Sequence, residues 1–277
     1  MNLLGRKMVN LTYCFKMLND ISMQELKYTI MNLKFASAVF LGVLVLNSCN
    51  NKSEDDKKNI EIQDNKNIAE KPSENVDIQV GDIKFTKSVN DAAKNVAVEG
   101  DKIIFNSKKG TDYFNSIDGA MTANSAPILL TSVDISKPFT FTAKVTPEFT
   151  NTGTYTAGVV YLYKNDSLYQ KLCFEQDERG KHRVVTVRTV ETSDDNNHDV
   201  INESYVYMKI SSDGKTIGHY YSLDNKSWQM VRLYKNSYPE GTMLGISSQS
   251  PKQERNITVF ENLKLEHTAV SDFRLGI

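Results

Sequence analysis

From roughly residue 80 onward the chain is a succession of short runs in which apolar and polar residues alternate, each bounded by turn formers. Phe139 to Val145 reads FTFTAKV, with Phe139, Phe141, Ala143 and Val145 on one side. That period of two is the signature of a strand with one buried face. The stretch Tyr205 to Leu265 is the densest in such signals. Its runs are rich in β-branched and aromatic residues, and Asp213-Gly214 between two of them predicts a tight hairpin. Further strands are expected at Ile83 to Phe85, Lys102 to Phe105, Asp112 to Phe114 and Ala126 to Leu130, the last an edge or a strand start because Pro127 opens it. Asp91 to Val98 reads as a short helix or irregular segment. After residue 100 no long segment carries a helical period, so one all-β domain is expected, built as a sandwich of two antiparallel sheets.

Four central strands divide their residues usefully. Val160 and Leu162 oppose Tyr161 and Tyr163; Leu172 and Phe174 oppose Tyr169, Lys171, Cys173 and Glu175; Val185 and Val187 oppose Thr186 and Arg188; Val206, Met208 and Ile210 oppose Tyr207 and Lys209. Placed in one sheet, these strands have a dry face and a second face rich in Tyr, Lys, Arg and Glu. Tyr161, Tyr163, Lys171, Glu175, Arg188, Tyr207 and Tyr220 on that second face are the candidate ligand-binding residues, since hydroxyls and charges tolerate water.

Composition narrows the partners. The 277 residues carry 33 basic and 34 acidic side chains, a formal net charge of −1, and no basic footprint for nucleic acid. Cys14, Cys49 and Cys173 are too few and too scattered for a disulfide framework or a metal site.

The N-terminus reads as an address. Phe35 to Leu46 is a run of 12 apolar or small residues behind Lys34, too short for a confident membrane span and suited to the apolar region of a secretory signal. A start at Met31 gives this signal (31–48) ordinary length, so residues 1–30 are expected to be a non-native leader. Leu46-Asn47-Ser48-Cys49 resembles a bacterial lipobox, in which the thiol takes a lipid as a thioether. The resemblance implies a lipid on Cys49; the plainer alternative is a free cysteine after a cleaved signal. Residues 49–78 are nearly all polar and read as a flexible tether to a sandwich at 79–277. Ser53-Glu54-Asp55-Asp56 looks like the acidic signal that sends lipoproteins of the Bacteroidota to the cell surface, or is a solvated linker. The expected location is the outer membrane or cell surface.

The segments Ala157-Gly158-Val159, Lys171 to Glu175, Tyr221 to Asp224 with Trp228, and Leu244 to Pro251 with Val259-Phe260 occur in an order that resembles the concanavalin-like domain of unknown function 1349. The resemblance covers roughly residues 80–277 and is most specific at YYSLDNKSW and GISSQSP. It implies a jelly-roll sandwich similar to legume lectins, laminin-G domains and the accessory sandwich of some xylosidases, and implies no demonstrated activity. The chain departs from the family pattern where Asp195, rather than an aromatic, follows Ser193-Asp194, and where Asn225 replaces a usual Gly.

Glu175 and Asp177, two apart, form a near miss to a carboxylate pair for a glycoside hydrolase or lyase; Gly180 stands where a further Glu would fall, and a salt-bridged strand end is the plainer reading. Asp194, Asp195, Asn196, Asn197 and Asp199 crowd one segment with oxygens, which admits calcium without matching a defined calcium loop; no other cofactor is expected. Trp228, the single tryptophan, is expected in the core. The function expected from the sequence is carbohydrate or glycoconjugate binding without catalysis, the alternatives being the hydrolase or lyase and a structural protein-interaction module.

Overall fold

The computed structural model describes residues 73–277. They form seventeen strands and one 3₁₀ turn, Ala92–Asn95. In chain order the strands are β1 (Ser73–Val80), β2 (Ile83–Val89), β3 (Val96–Glu99), β4 (Lys102–Lys108), β5 (Tyr113–Asn115), β6 (Thr122–Asn124), β7 (Ile128–Ser132), β8 (Phe139–Pro147), β9 (Ala157–Asn165), β10 (Leu168–Gln176), β11 (His182–Val190), β12 (Thr192–Val200), β13 (Val206–Ser212), β14 (Thr216–Ser222), β15 (Gln229–Lys235), β16 (Met243–Gln249) and β17 (Arg255–Glu266). Eight make one antiparallel sheet in the order β1-β2-β7-β16-β9-β10-β11-β12, and seven make a second in the order β15-β14-β13-β8-β17-β4-β3. β5 and β6 pair only with each other.

One apolar core lies between the two sheets. Val160, Leu162, Leu172, Phe174, Leu244 and Ile246 come from the first sheet; Phe141, Ala143, Val145, Met208, Ile210 and Phe260 come from the second, and all are 0% exposed. Each set occupies alternate positions on its strand, so the pleat alone delivers both to one interior. At Gly158 the sheets approach so closely that a Cβ would stand 2.5 Å from Val145 Cγ1 and 2.6 Å from Thr258 Cγ2.

The turns follow local chemistry. Asp213-Gly214 reverses the chain between β13 and β14, with Gly214 at φ 87° and the Asp213 carboxylate accepting from the amides of Lys215 and Thr216. Asn225 holds φ 58° after Asp224, a left-handed conformation that Gly adopts freely and Asn tolerates. The structure differs from the expected tether at one end: β1 begins at Ser73, within 49–78, and pairs along β2. Val76, Ile78 and Val80 alternate along it, Val80 buried in the core and the other two packed against it, while the residues between them are exposed.

Candidate functional site

Period two on β10 puts Tyr169, Lys171, Cys173 and Glu175 on the face of the first sheet that points away from the core. The flanking registers bring Tyr161 of β9 opposite Lys171, and Val187 and Val185 of β11 opposite Lys171 and Cys173. This outer face is not open. The segment around β5 and β6 folds over it, and Tyr113 packs edge-on against Tyr161, Tyr163 and Tyr169 at ring-centroid distances of 6.2, 6.0 and 5.5 Å. Asn115 ties the segment down by donating from Nδ2 to the carbonyls of Asp166 and Glu191. The Tyr113 and Tyr163 hydroxyls both donate to Asp166 Oδ1, at 3.0 and 2.8 Å. The result is a second, smaller cluster of buried residues outside the main core.

Beside this flap a pocket of about 370 Å³ remains. Val185 and Val187 form apolar wall, Lys171 and Glu175 lie on its inner side, Asp195 and Asn197 reach it from β12, and Phe114, Met121 and Tyr155 stand around its mouth. Lys171 is 2% exposed. Its ammonium donates to the Tyr113 carbonyl at 2.6 Å and to Gln249 Oε1 at 3.4 Å, and lies 3.8 Å from the Asp112 carboxylate. Gln249 in turn donates to Asp112 at 3.0 Å and accepts from the Tyr161 hydroxyl at 3.0 Å. Burial works against the ammonium, but Asp112 and the other groups around it outweigh that cost, so Lys171 is held charged, above the usual lysine range. Its charge is thereby partnered within the protein.

Glu175 is different. It is 9% exposed, and among the described residues nothing hydrogen-bonds its carboxyl. Burial pushes its pKa up to about 8 from an ordinary 4.5; the Lys171 charge opposes this, while Asp112, Asp195 and Asp177 add to it. At neutral pH it is largely an acid rather than a carboxylate. Tyr155, at the mouth, has its backbone at φ 60°, which costs a bulky residue on the order of 1–3 kcal/mol. Its amide is fixed to the Gln176 carbonyl at 2.7 Å, which holds the aromatic ring at the rim.

The seven residues expected on one wet face divide three ways. Tyr161, Tyr163, Lys171 and Glu175 share a face, but Tyr161 is 0% and Tyr163 5% exposed, sealed by the flap. Arg188 is on the opposite side of the sheet. Register pairs Gln170 with Arg188 and Lys171 with Val187, so the apolar Val185 and Val187 face the pocket and Arg188 faces inward, 6.0 Å from the Tyr234 ring centroid. Tyr207 and Tyr220 belong to the second sheet altogether, because β13 pairs with β8 and β14. Tyr207 is edge-on to Tyr205, and Tyr220 is buried with its hydroxyl donating to the Phe273 carbonyl. The broad sheet surface expected from the sequence is therefore replaced by a narrower pocket. Trp228 is not a core anchor: it is half-buried, with the Lys209 ammonium 3.7 Å from its ring centroid.

Asp177 does not pair with Glu175. It accepts from the Arg179 and Lys181 amides and forms an ion pair with Arg183 at 2.7 Å, so it closes the turn between β10 and β11. The Asp194–Asp199 oxygens sit on a strand, which separates them. Asp195 and Asn197 face the pocket, whereas Asp194 turns to Arg232 at 2.7 Å, and Asp199 accepts from Tyr221. Among the described residues no three His, Cys, Asp or Glu side chains converge as a metal site. Asp112, Tyr155 and Gln249 escaped the sequence reading. Gln249 lies in the most family-specific motif, GISSQSP, which was the available signal; Asp112 and Tyr155 sit in loops with no such mark.

These features define a two-sheet β-sandwich with a lined pocket on one outer face. The chain belongs to the family of proteins of unknown function DUF1349, whose model matches residues 89–268. No curated protein sequence matches it. Among solved structures, a functionally unknown protein from Saccharomyces cerevisiae aligns with a TM-score of 0.59 at 18% identity, over 66% of this chain and 96% of that one. The GH43 protein BlXynB from Bacillus licheniformis aligns with a TM-score of 0.51 at 14% identity, over 70% of this chain and 38% of that one, and a single-residue variant of it with 0.53. The chain thus spans well under half of BlXynB. At these identities the likeness is one of fold.

Proposed function

We propose that the protein binds carbohydrate or glycoconjugate, without catalysis, in the pocket beside the flap. The observation that carries this reading is a lined pocket of about 370 Å³ with a buried carboxyl, Glu175, that accepts no hydrogen bond from the described residues. Specific small-molecule sites combine apolar wall with a few fixed polar groups. Here Val185 and Val187 supply the wall, Asp112, Glu175, Asp195 and Asn197 offer groups for hydroxyls, and Tyr155 and Phe114 offer ring faces at the rim. The likeness of fold to a GH43 protein supports the same reading. Catalysis is disfavoured because Asp177 is committed to Arg183. We also infer a concanavalin-like jelly roll, the arrangement the family resemblance implies, supported by the two large sheets and their long-range strand order.

The test is a broad glycan array followed by calorimetry on the full chain. Binding that is lost in Glu175→Ala and in Tyr155→Ala is expected; no binding to any glycan sinks the reading. A lipid thioether on Cys49 and display at the outer membrane or cell surface are proposed with it. Cys49 lies outside the described residues, and the support is the lipobox-like Leu46-Asn47-Ser48-Cys49. Metabolic palmitate labelling that survives Cys49→Ala would remove the anchor.

A further inference from the structure

The pocket's charges are unevenly spent. Lys171 is taken up by Asp112, Gln249 and the Tyr113 carbonyl, and Asp177 by Arg183. Glu178 is paired with Arg179, which leaves Asp195 as the further acidic group that faces Glu175 and Lys252 as the one cation among the described lining residues still unassigned. An anionic ligand would enter a pocket lined by surplus carboxyls. A hydroxyl can bond to the protonated Glu175 and leaves it neutral. An ammonium satisfies the buried carboxylate fully, and charge-assisted hydrogen bonds are roughly twice as strong as neutral ones. We propose that the pocket selects sugars bearing a free amine, with the Glu175 carboxylate as the partner of the ammonium.

This rests on the carbohydrate-binding reading and deepens it. It carries a signature that shape alone would not produce. In the empty pocket Glu175 holds its proton through neutral pH, because burial disfavours the charged form. An arriving ammonium favours the carboxylate, so the proton leaves to solvent as the ion pair forms, and charge balances across the step. A neutral sugar that accepts from or donates to the protonated carboxyl releases none.

The experiment is calorimetry of the full chain at pH 6, where amine and Glu175 both carry protons, in phosphate and in MES buffers of different ionisation enthalpy. The ligands are deacetylated chitotriose, its N-acetylated form and cellotriose. The deacetylated form should bind at least tenfold more tightly than the other two and release close to one proton. Glu175→Gln, which keeps the side chain's shape, should abolish both the amine preference and the proton release. Cellotriose binding with no amine preference, a preference without proton release, or a preference that persists in Glu175→Gln overturns the inference and leaves carbohydrate binding standing. Failure of all three trisaccharides and of the glycan array takes down the underlying reading as well.

Discussion

Replacing Glu175 by Gln perturbs one buried group and almost nothing else. The carboxyl has an ordinary pKa of 4.5 and is raised to about 8 in the folded protein. A carboxyl whose folded value is raised binds its proton more tightly in the native state than in the unfolded chain. Stability therefore falls as pH rises above 4.5 and stops falling once pH passes about 8. At about 1.4 kcal/mol per unit, the cost is about 1 kcal/mol at pH 5, about 3 at pH 7 and about 5 at pH 9. Gln has similar volume and no charge, so the variant escapes this cost. Urea unfolding at those three pH values is the assay, with the slope checked for constancy. The variant should nearly match the parent at pH 5 and exceed it by a margin that widens with pH. A margin that stays flat, or a variant that is weaker at pH 9, would refute the argument that burial outweighs the Lys171 charge at Glu175.

Burial lowers the pKa of His219 to about 3, with the Arg232 charge adding to it, and its Nε2 lies 3.0 Å from the Tyr234 hydroxyl. The folded protein keeps it neutral, so stability should be lost as pH falls below 6.5, and Gln in its place should flatten that acid limb in urea melts. Gly158→Ala forces a Cβ into Val145 and Thr258 between the sheets and should cost about 1–3 kcal/mol, read as a lower urea midpoint with unchanged slope. Tyr155→Gly relieves a left-handed backbone and should raise stability by about 1 kcal/mol while weakening glycan binding; a variant that loses stability would deny the strain.

Much of the fold was legible because it is local. Alternation in Phe139 to Val145 and the Asp213-Gly214 turn each fix a strand or a hairpin from a few residues. The placing of Lys171 and Glu175 on one side of one strand needed only the pleat. Beyond a single strand the pattern was ambiguous. Val185 and Val187 are apolar and by pattern read as inward-facing, yet the pairing of Lys171 with Val187 turns them to the pocket and sends Arg188 to the interior. A period of two says which residues share a side of a strand, not which side meets which on the neighbouring strand.

The sequence by itself determined that residues 79–277 form an all-β domain with two kinds of strand face, and it marked Lys171 and Glu175 as companions. Tertiary structure alone decided that β13 and β14 join the other sheet, which removed Tyr207 and Tyr220 from the site. It also decided that the segment around Tyr113 lies over the outer face, burying Tyr161 and Tyr163 and leaving a pocket rather than an open surface. Both outcomes depend on contacts between residues tens of positions apart. Their free energies come from partners that no local window of sequence contains.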